Sequence, residues 1–359
     1  MIYARKEIAA GNTVWHILDE TNNLQKVKKL CHPHLIELVK SYQIGDNNFN
    51  LIFPYAKANL HRYLRVPSLG ASRTSNRTHN RLWPQMLGVA EGLKLIINRS
   101  SSSPESSIGF HFDLKPQNIL ILEKLQGDTL VISDFGQARL LEHDSFTSRL
   151  TFGRGTDSYT PPEHSTGFVI KAQQNKYDIW PLGIILMEVL AFVVQGETGP
   201  ERLDHVRFTR ERGGMDSRFW RLTDQLGKGE LKPQVKRFMN DIKDNSHYVN
   251  EENKKFVSNV IDLAEDMLQP DPRCRISIDN VVERMKAIFS CERRIAPRRE
   301  IPLLAGEKVL LSIEYVCCSI TVRLFGTPVI NWPSQEDFAY TQDAHKRNGI
   351  QSLREGASQ

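Results

Sequence analysis

Two short segments hold residue types that could carry out one reaction. His111-Phe-Asp-Leu-Lys-Pro-Gln-Asn118 supplies a carboxylate at Asp113, an ammonium at Lys115 and an amide oxygen at Asn118, and Asp134-Phe-Gly136 supplies a second carboxylate. Phosphoryl transfer from a nucleotide needs such parts: a carboxylate to orient the attacking hydroxyl, a cation against the charge on the moving group, and hard oxygen donors for Mg2+. The apolar runs 119–122 and 130–133 flank a turn containing Gly127 and Asp128, and predict a hairpin that returns Asp134 to the side of Asn118.

At average residue usage, Asp-Phe-Gly alone arises in about one chain in twenty of this length, whereas H-x-D-x-K-x-x-N arises in roughly one in a thousand. Their occurrence in this order, with a hairpin between, is therefore the specific signal. The pair resembles the catalytic loop (H-R-D-L-K-P-x-N) and metal motif (D-F-G) of the eukaryotic protein kinase family, serine/threonine type. The resemblance implies that Asp113 orients the substrate hydroxyl, Lys115 stabilises the transferring phosphoryl, and Asn118 and Asp134 hold Mg2+. It makes His111 a structural residue packed under Phe135 rather than an acid or base, in a stack with Leu38 and Val27.

Further motifs follow the family's order. Gly155-Thr-Asp-Ser-Tyr-Thr-Pro-Pro-Glu163 resembles the end of the activation segment, with Thr156 expected against Asp113 and Lys115. Glu163 is expected to pair with Arg275 in a buried ion pair. Asp178-Ile-Trp-Pro-Leu-Gly183 resembles a helix start whose aspartate accepts backbone N–H bonds from the catalytic loop, and Asp178 is also placed to cap that helix. Tyr3-Ala-Arg-Lys6 resembles the strand whose lysine holds the α- and β-phosphates. The segment 51–56 resembles the hinge, with Phe53 as gatekeeper. There the Pro54 carbonyl and the Ala56 N–H are expected to bond adenine, and Ala4 and Leu120 to sandwich it.

The resemblance departs at three places. The given sequence starts at the strand that holds Lys6, so the Gly-rich loop and the first two strands of the small lobe are expected to be absent from it, with Lys6 on an edge strand. Either the protein is degenerate or the chain is an incomplete product of its gene. The helix acid that should pair with Lys6 is either Glu20 or, by an ungapped count from His32, Asn23. Phe112 stands where the family has an arginine that pairs with a phosphorylated activation segment. Phosphorylation of Ser145, Thr147, Ser148 or Thr151 is therefore expected to matter less for switching. The missing arginine, and Lys232-Pro with its following helix, resemble an expanded set of fungal kinase-like proteins.

The elements that must position these residues can be read from periodicity. Strand, helix, strand and strand are predicted over the first 60 residues, with the second strand starting at Leu35. Helices are predicted over 178–194, 218–242, 251–268 and 278–289, and one or two strands over 309–325. The implied fold is α+β and two-lobed: a β-rich N-lobe over 1–56, a helical C-lobe over 57–289, and an extension of unknown structure over 290–359. The expected function is ATP- and Mg2+-dependent phosphorylation of a protein serine or threonine. The alternative is an impaired pseudokinase acting as a binding or scaffold module. A small-molecule phosphotransferase is disfavoured by the 155–163 segment.

The composition sets outer bounds. The 359 residues are 40% hydrophobic and 25% charged, which is ordinary for a globular chain long enough to bury a core. Forty-seven basic against 42 acidic residues leave a net charge of +5, too small and dispersed for a dedicated nucleic-acid binder. No apolar run reaches membrane-spanning length, and five cysteines without a C-x-x-C fit a reducing compartment, the cytoplasm or nucleus. The formal glycosylation sequon at Asn76 reads as an exposed loop.

Overall fold

The β-prone run at the start forms β1 (Tyr3–Ala9), which pairs antiparallel with β3 (Asn48–Pro54) in the register Ala4↔Phe53 and Lys6↔Leu51. Between them come α1 (Val14–Lys28) and β2 (Lys40–Ile44), and β2 pairs with β3 beyond a turn at Gly45, whose φ of +60° suits glycine. The sheet order is β1-β3-β2, so β1 occupies an edge among the described residues. These are features of a computed structural model, which describes residues 2–9, 14–45, 48–66, 80–98, 108–124, 127–141, 157–166, 176–211, 214–223, 229–244, 251–289, 299–302, 308–316 and 319–325.

The second strand is shorter than its sequence suggests. Residues 34–36 bond elsewhere: the Ile132 N–H donates to the His34 carbonyl and the Ile36 N–H to the Ile132 carbonyl, both at 2.9 Å. That ties the chain leaving α1 to the segment ending just before Asp134.

The larger lobe opens with β4 (Ala58–Asn59), α2 (Leu60–Arg65) and α3 (Leu82–Ile97), and the Asn59 side chain caps α2 by accepting from the Arg62 N–H. Then come β5 (Ile108–Phe110), the hairpin β6 (Ile119–Lys124) and β7 (Gly127–Ile132), β8 (Arg139–Leu141) and α4 (Pro162–Thr166). Next are α5 (Ile179–Gln195), α6 (Thr198–Arg207), β9 (Thr209–Glu211), β10 (Gly214–Asp216), β11 (Trp220–Leu222) and β12 (Gly229–Leu231). The lobe ends with α7 (Pro233–Lys243), α8 (Glu251–Met267) and α9 (Ile278–Phe289).

The helix expected over 218–242 is only α7. Gly227 and Gly229 weaken a helix upstream, Pro233 fits its first turn, and β11 pairs antiparallel with β12 instead. Helix α5 is the centre of the lobe. Every residue from Ile179 to Phe192 is buried, which explains why its sequence has no polar face. Each fully buried Leu, Ile or Phe there contributes about 1.5–3 kcal/mol.

Residues Met1–Glu292 form one unit and Arg293–Gln359 a second. In the second, β13 (Arg299–Pro302), β14 (Lys308–Val316) and β15 (Ser319–Phe325) pair antiparallel in that order. Among the described residues, no helix is long and apolar enough to cross a membrane.

Candidate active site

The catalytic loop is built by local bonds. A 3-10 turn at Pro116–Asn118 has proline in its first turn, and the Asn118 N–H closes on the Lys115 carbonyl at 2.9 Å. The Asn118 amide donates to the Asp113 carbonyl at 2.8 Å and to its carboxylate Oδ2 at 3.0 Å. Lys115 Nζ reaches the same Oδ2 at 2.7 Å. Asp113, Lys115 and Asn118 thus form one hydrogen-bonded group. The Ser133 N–H and hydroxyl both donate to the Asn118 carbonyl at 2.9 Å, which brings β7 and Asp134 alongside.

The loop is held from beneath by Asp178. Its carboxylate accepts from the His111 N–H at 2.7 Å and the Phe112 N–H at 3.0 Å. Asp178 is fully buried, and that burial raises its carboxyl pKa despite the two donors and nearby His111. Its side chain makes no capping bond to α5, so the expected helix-cap role is not found. His111 Nε2 meets the Ser133 carbonyl at 3.0 Å, and its ring lies edge-on to Phe135 with centroids 5.0 Å apart. The His111 side chain is fully buried, and Leu38, Val27 and Phe135 are buried in one core.

Phe112 has φ +61° and Asp134 has φ +64°, both in the left-handed region that non-glycine residues avoid. Phe112 is fixed by packing: it stacks on Phe110 at 4.7 Å and meets Tyr177 edge-on at 5.0 Å. An aromatic cluster therefore occupies the place where the family has a guanidinium.

Lys6 settles the question left by α1. Its Nζ lies 2.7 Å from Glu20 Oε1 and 3.2 Å from Asp134 Oδ1. Asn23, one turn later, donates instead to the Phe135 and Ala138 carbonyls at 3.1 and 3.0 Å. Burial alone would lower the Lys6 pKa, but the two carboxylates outweigh it and raise it. Burial likewise opposes ionisation of Asp134, yet Lys6 holds its pKa below the ordinary carboxylate value.

The strand register puts Ala4 opposite Phe53 and Tyr3 opposite Pro54, and a strand bond runs from the Tyr55 N–H to the Ile2 carbonyl at 3.3 Å. Phe53, Ala56 and Leu120 are half-buried against the core. Among the described residues the Ala56 N–H has no hydrogen-bond partner. The donor set fits Mg2+: with the Asn118 NH2 engaged by Asp113, its amide oxygen remains as a hard donor beside the Asp134 carboxylate, and Mg2+ takes few protein oxygens besides phosphate and water.

Further along, Arg275 makes a two-pronged pair with Glu163, at 2.6 and 2.9 Å, with both side chains buried. Thr156 and the hydroxyls at 145, 147, 148 and 151 lie outside the described residues, as does Asn76. The sequence reading missed a second buried network. The Tyr159 hydroxyl donates to Glu188 at 2.6 Å, and Arg65 bridges Glu188 at 2.8 Å and Asp204 at 2.7 Å. Burial raises the pKa of both Tyr159 and Glu188. The available signal was Glu188 itself, the one carboxylate within the apolar run of α5.

Serine/threonine-protein kinase tousled-like 2 from Mus musculus is 28% identical over 173 residues, 45% of this chain and 22% of that protein. The PR5-like receptor kinase of Arabidopsis thaliana is 24% identical over 268 residues, 74% of this chain and 35% of its own length. These matches thus cover from about a fifth to about a third of the relatives' lengths. The sequence profile of the protein kinase domain matches residues 1–285. With that match running over most of its length, the chain belongs to the protein kinase domain family.

Proposed function

We propose that this chain is an ATP-dependent protein serine/threonine kinase. The observation that carries the reading is Lys6 bridging Glu20 and Asp134, which joins sheet, helix and metal motif at one cleft. In this reading Lys6 positions the α- and β-phosphates. Ala4 and Leu120 flank adenine, and the Pro54 carbonyl and Ala56 N–H meet its edge. Asp113 accepts the hydrogen bond of the incoming serine or threonine hydroxyl and aims its oxygen at the γ-phosphorus. Lys115, held 2.7 Å from Asp113, offsets charge on the transferring phosphoryl oxygens. Asn118 and Asp134 would hold Mg2+, which when bound neutralises phosphate charge. Lys115 is the feature of the catalytic loop that favours serine and threonine over tyrosine in the family it resembles.

The test is transfer of labelled γ-phosphate to a generic basic protein. Transfer lost in Asp134→Ala and in Asp113→Asn supports the reading. ATP binding without any transfer by the unmodified chain replaces it with the scaffold reading.

A further inference from the structure

The segment 158–162, just ahead of the Glu163–Arg275 pair, rests on the two hairpins inserted between α6 and α7. Ser158 Oγ lies 2.7 Å from Ser217 Oγ. Trp220 Nε1–H donates to the Thr160 carbonyl at 2.9 Å, and Trp220 is fully buried. Gly229 lies so close to Pro162 that an added Cβ would stand 2.7 Å from the proline Cβ. Three alternate positions of the segment, 158, 160 and 162, are therefore matched by three positions of the insertion.

The insertion is itself fastened. Lys232 is completely buried, and its Nζ donates to the Arg207 carbonyl at 2.8 Å and the Asp216 carbonyl at 3.0 Å. Its own N–H donates to the Phe219 carbonyl at 2.9 Å. Arg207 donates to the Ser217 carbonyl, and Arg218 pairs with Asp216 while lying 4.4 Å over the Trp220 ring. A buried ammonium that loses its carbonyl partners is costly, so this arrangement holds the loop in one conformation. From the opposite side Tyr159 bonds Glu188 of α5. The segment is thus gripped between the central helix, through the Glu188 carboxylate, and the insertion, through neutral contacts.

We propose that hairpins β9–β10 and β11–β12 are a positioning platform for residues 158–162, and that they set the affinity for the protein substrate without touching nucleotide handling. This rests on the kinase reading, in which that segment receives the peptide. Ser217, Trp220 and Gly229 are positioning residues, acting through the segment.

The test uses the full chain with Ser217→Ala, Trp220→Phe and Gly229→Ala. The KM for the basic protein substrate is expected to rise about tenfold, through one lost hydrogen bond in the first two variants and through the Cβ clash with Pro162 in the third, with kcat and the KM for ATP within about twofold. Ser217→Thr, which keeps the hydroxyl, is expected to restore the unmodified KM. Independently of activity, hydrogen exchange at the amides of Tyr159, Thr160, Glu163 and His164 is expected to quicken about tenfold in Trp220→Phe, with 113–118 unchanged. Should that variant not fold, Gly229→Ala carries the same measurement, since it removes no bond. An unchanged substrate KM overturns the proposal, as does an equal rise in the KM for ATP or exchange that stays as it was. An inactive unmodified chain overturns the kinase reading instead, and the exchange measurement then decides the platform alone.

Discussion

Lys6 carries most weight among single residues because two carboxylates converge on it from separate elements. Its raised pKa means its contribution is complete below 10.5 and fades as pH rises through the folded value above that. Asp134, held low, contributes fully above 3.8 and fades as pH falls through its lower folded value. ATP affinity should therefore be flat across the neutral range as far as this pair is concerned, which calorimetric titration between about pH 6 and 9 checks. Glu20→Gln is expected to lower phosphoryl transfer roughly 10- to 100-fold through misplacement of Lys6. It should leave Tm nearly unchanged, because the lysine is partly exposed and such pairs add about 1 kcal/mol or less. His34 behaves oppositely to Lys6. Its ring lies under Gly88, where any side chain would collide with it, and burial pushes its pKa down to about 4. A lowered histidine pKa means the unfolded chain binds the extra proton, so stability is lost as pH falls from 6.5 towards 4. Between pH 7 and 5 the loss is about 2 kcal/mol, and urea unfolding of His34→Asn should lack that component.

At the scale of elements, the catalytic loop and the activation segment's end are held by burial rather than by exposed charge. Phe112→Ala empties a position packed by Phe110 and Tyr177, and is expected to destabilise by about 3–5 kcal/mol in urea unfolding. Since no guanidinium stands at Phe112, phosphatase treatment is expected to leave phosphoryl transfer within about twofold; a larger fall would show another phosphate receptor. Glu163→Gln leaves Arg275 charged and buried without its counter-ion, and should cost about 3–5 kcal/mol by the same measurement. The comparison with Lys243–Asp262 is instructive: that pair is as short, at 2.7 Å, but exposed, so its loss should scarcely register.

Across the whole molecule, every named site residue lies within Met1–Glu292, and the core of that unit closes on α3, α5, α8 and α9. The chain ending at Glu292 is therefore expected to unfold cooperatively and to bind ATP, as circular dichroism and calorimetric titration would show. Insertion β9–β12 is where the fold departs furthest from its sequence signal: hairpins three residues to a strand carry too little periodicity to tell from a helix. In contrast, α5 and α9 were legible throughout, since continuous or three-to-four-residue apolar spacing extends over several turns.

The sequence by itself determined the chemistry that short spacings impose. Asp113, Lys115 and Asn118 fall within one turn and its flanks, and the β6–β7 hairpin returns Asp134 to them whatever the rest of the chain does. The partners of Lys6, Tyr159 and Lys232 were decided only by tertiary structure. Glu20 and Asn23 differ by one helical turn, and nothing local states which faces the sheet; the seating of α1 against β1 and against the carbonyls of Phe135 and Ala138 chose Glu20. Nothing local to Lys232 shows that it is buried, with the carbonyls of Arg207 and Asp216 accepting from its ammonium. A buried polar group takes whatever partner packing brings within 3 Å, and packing sums over elements far apart in the chain.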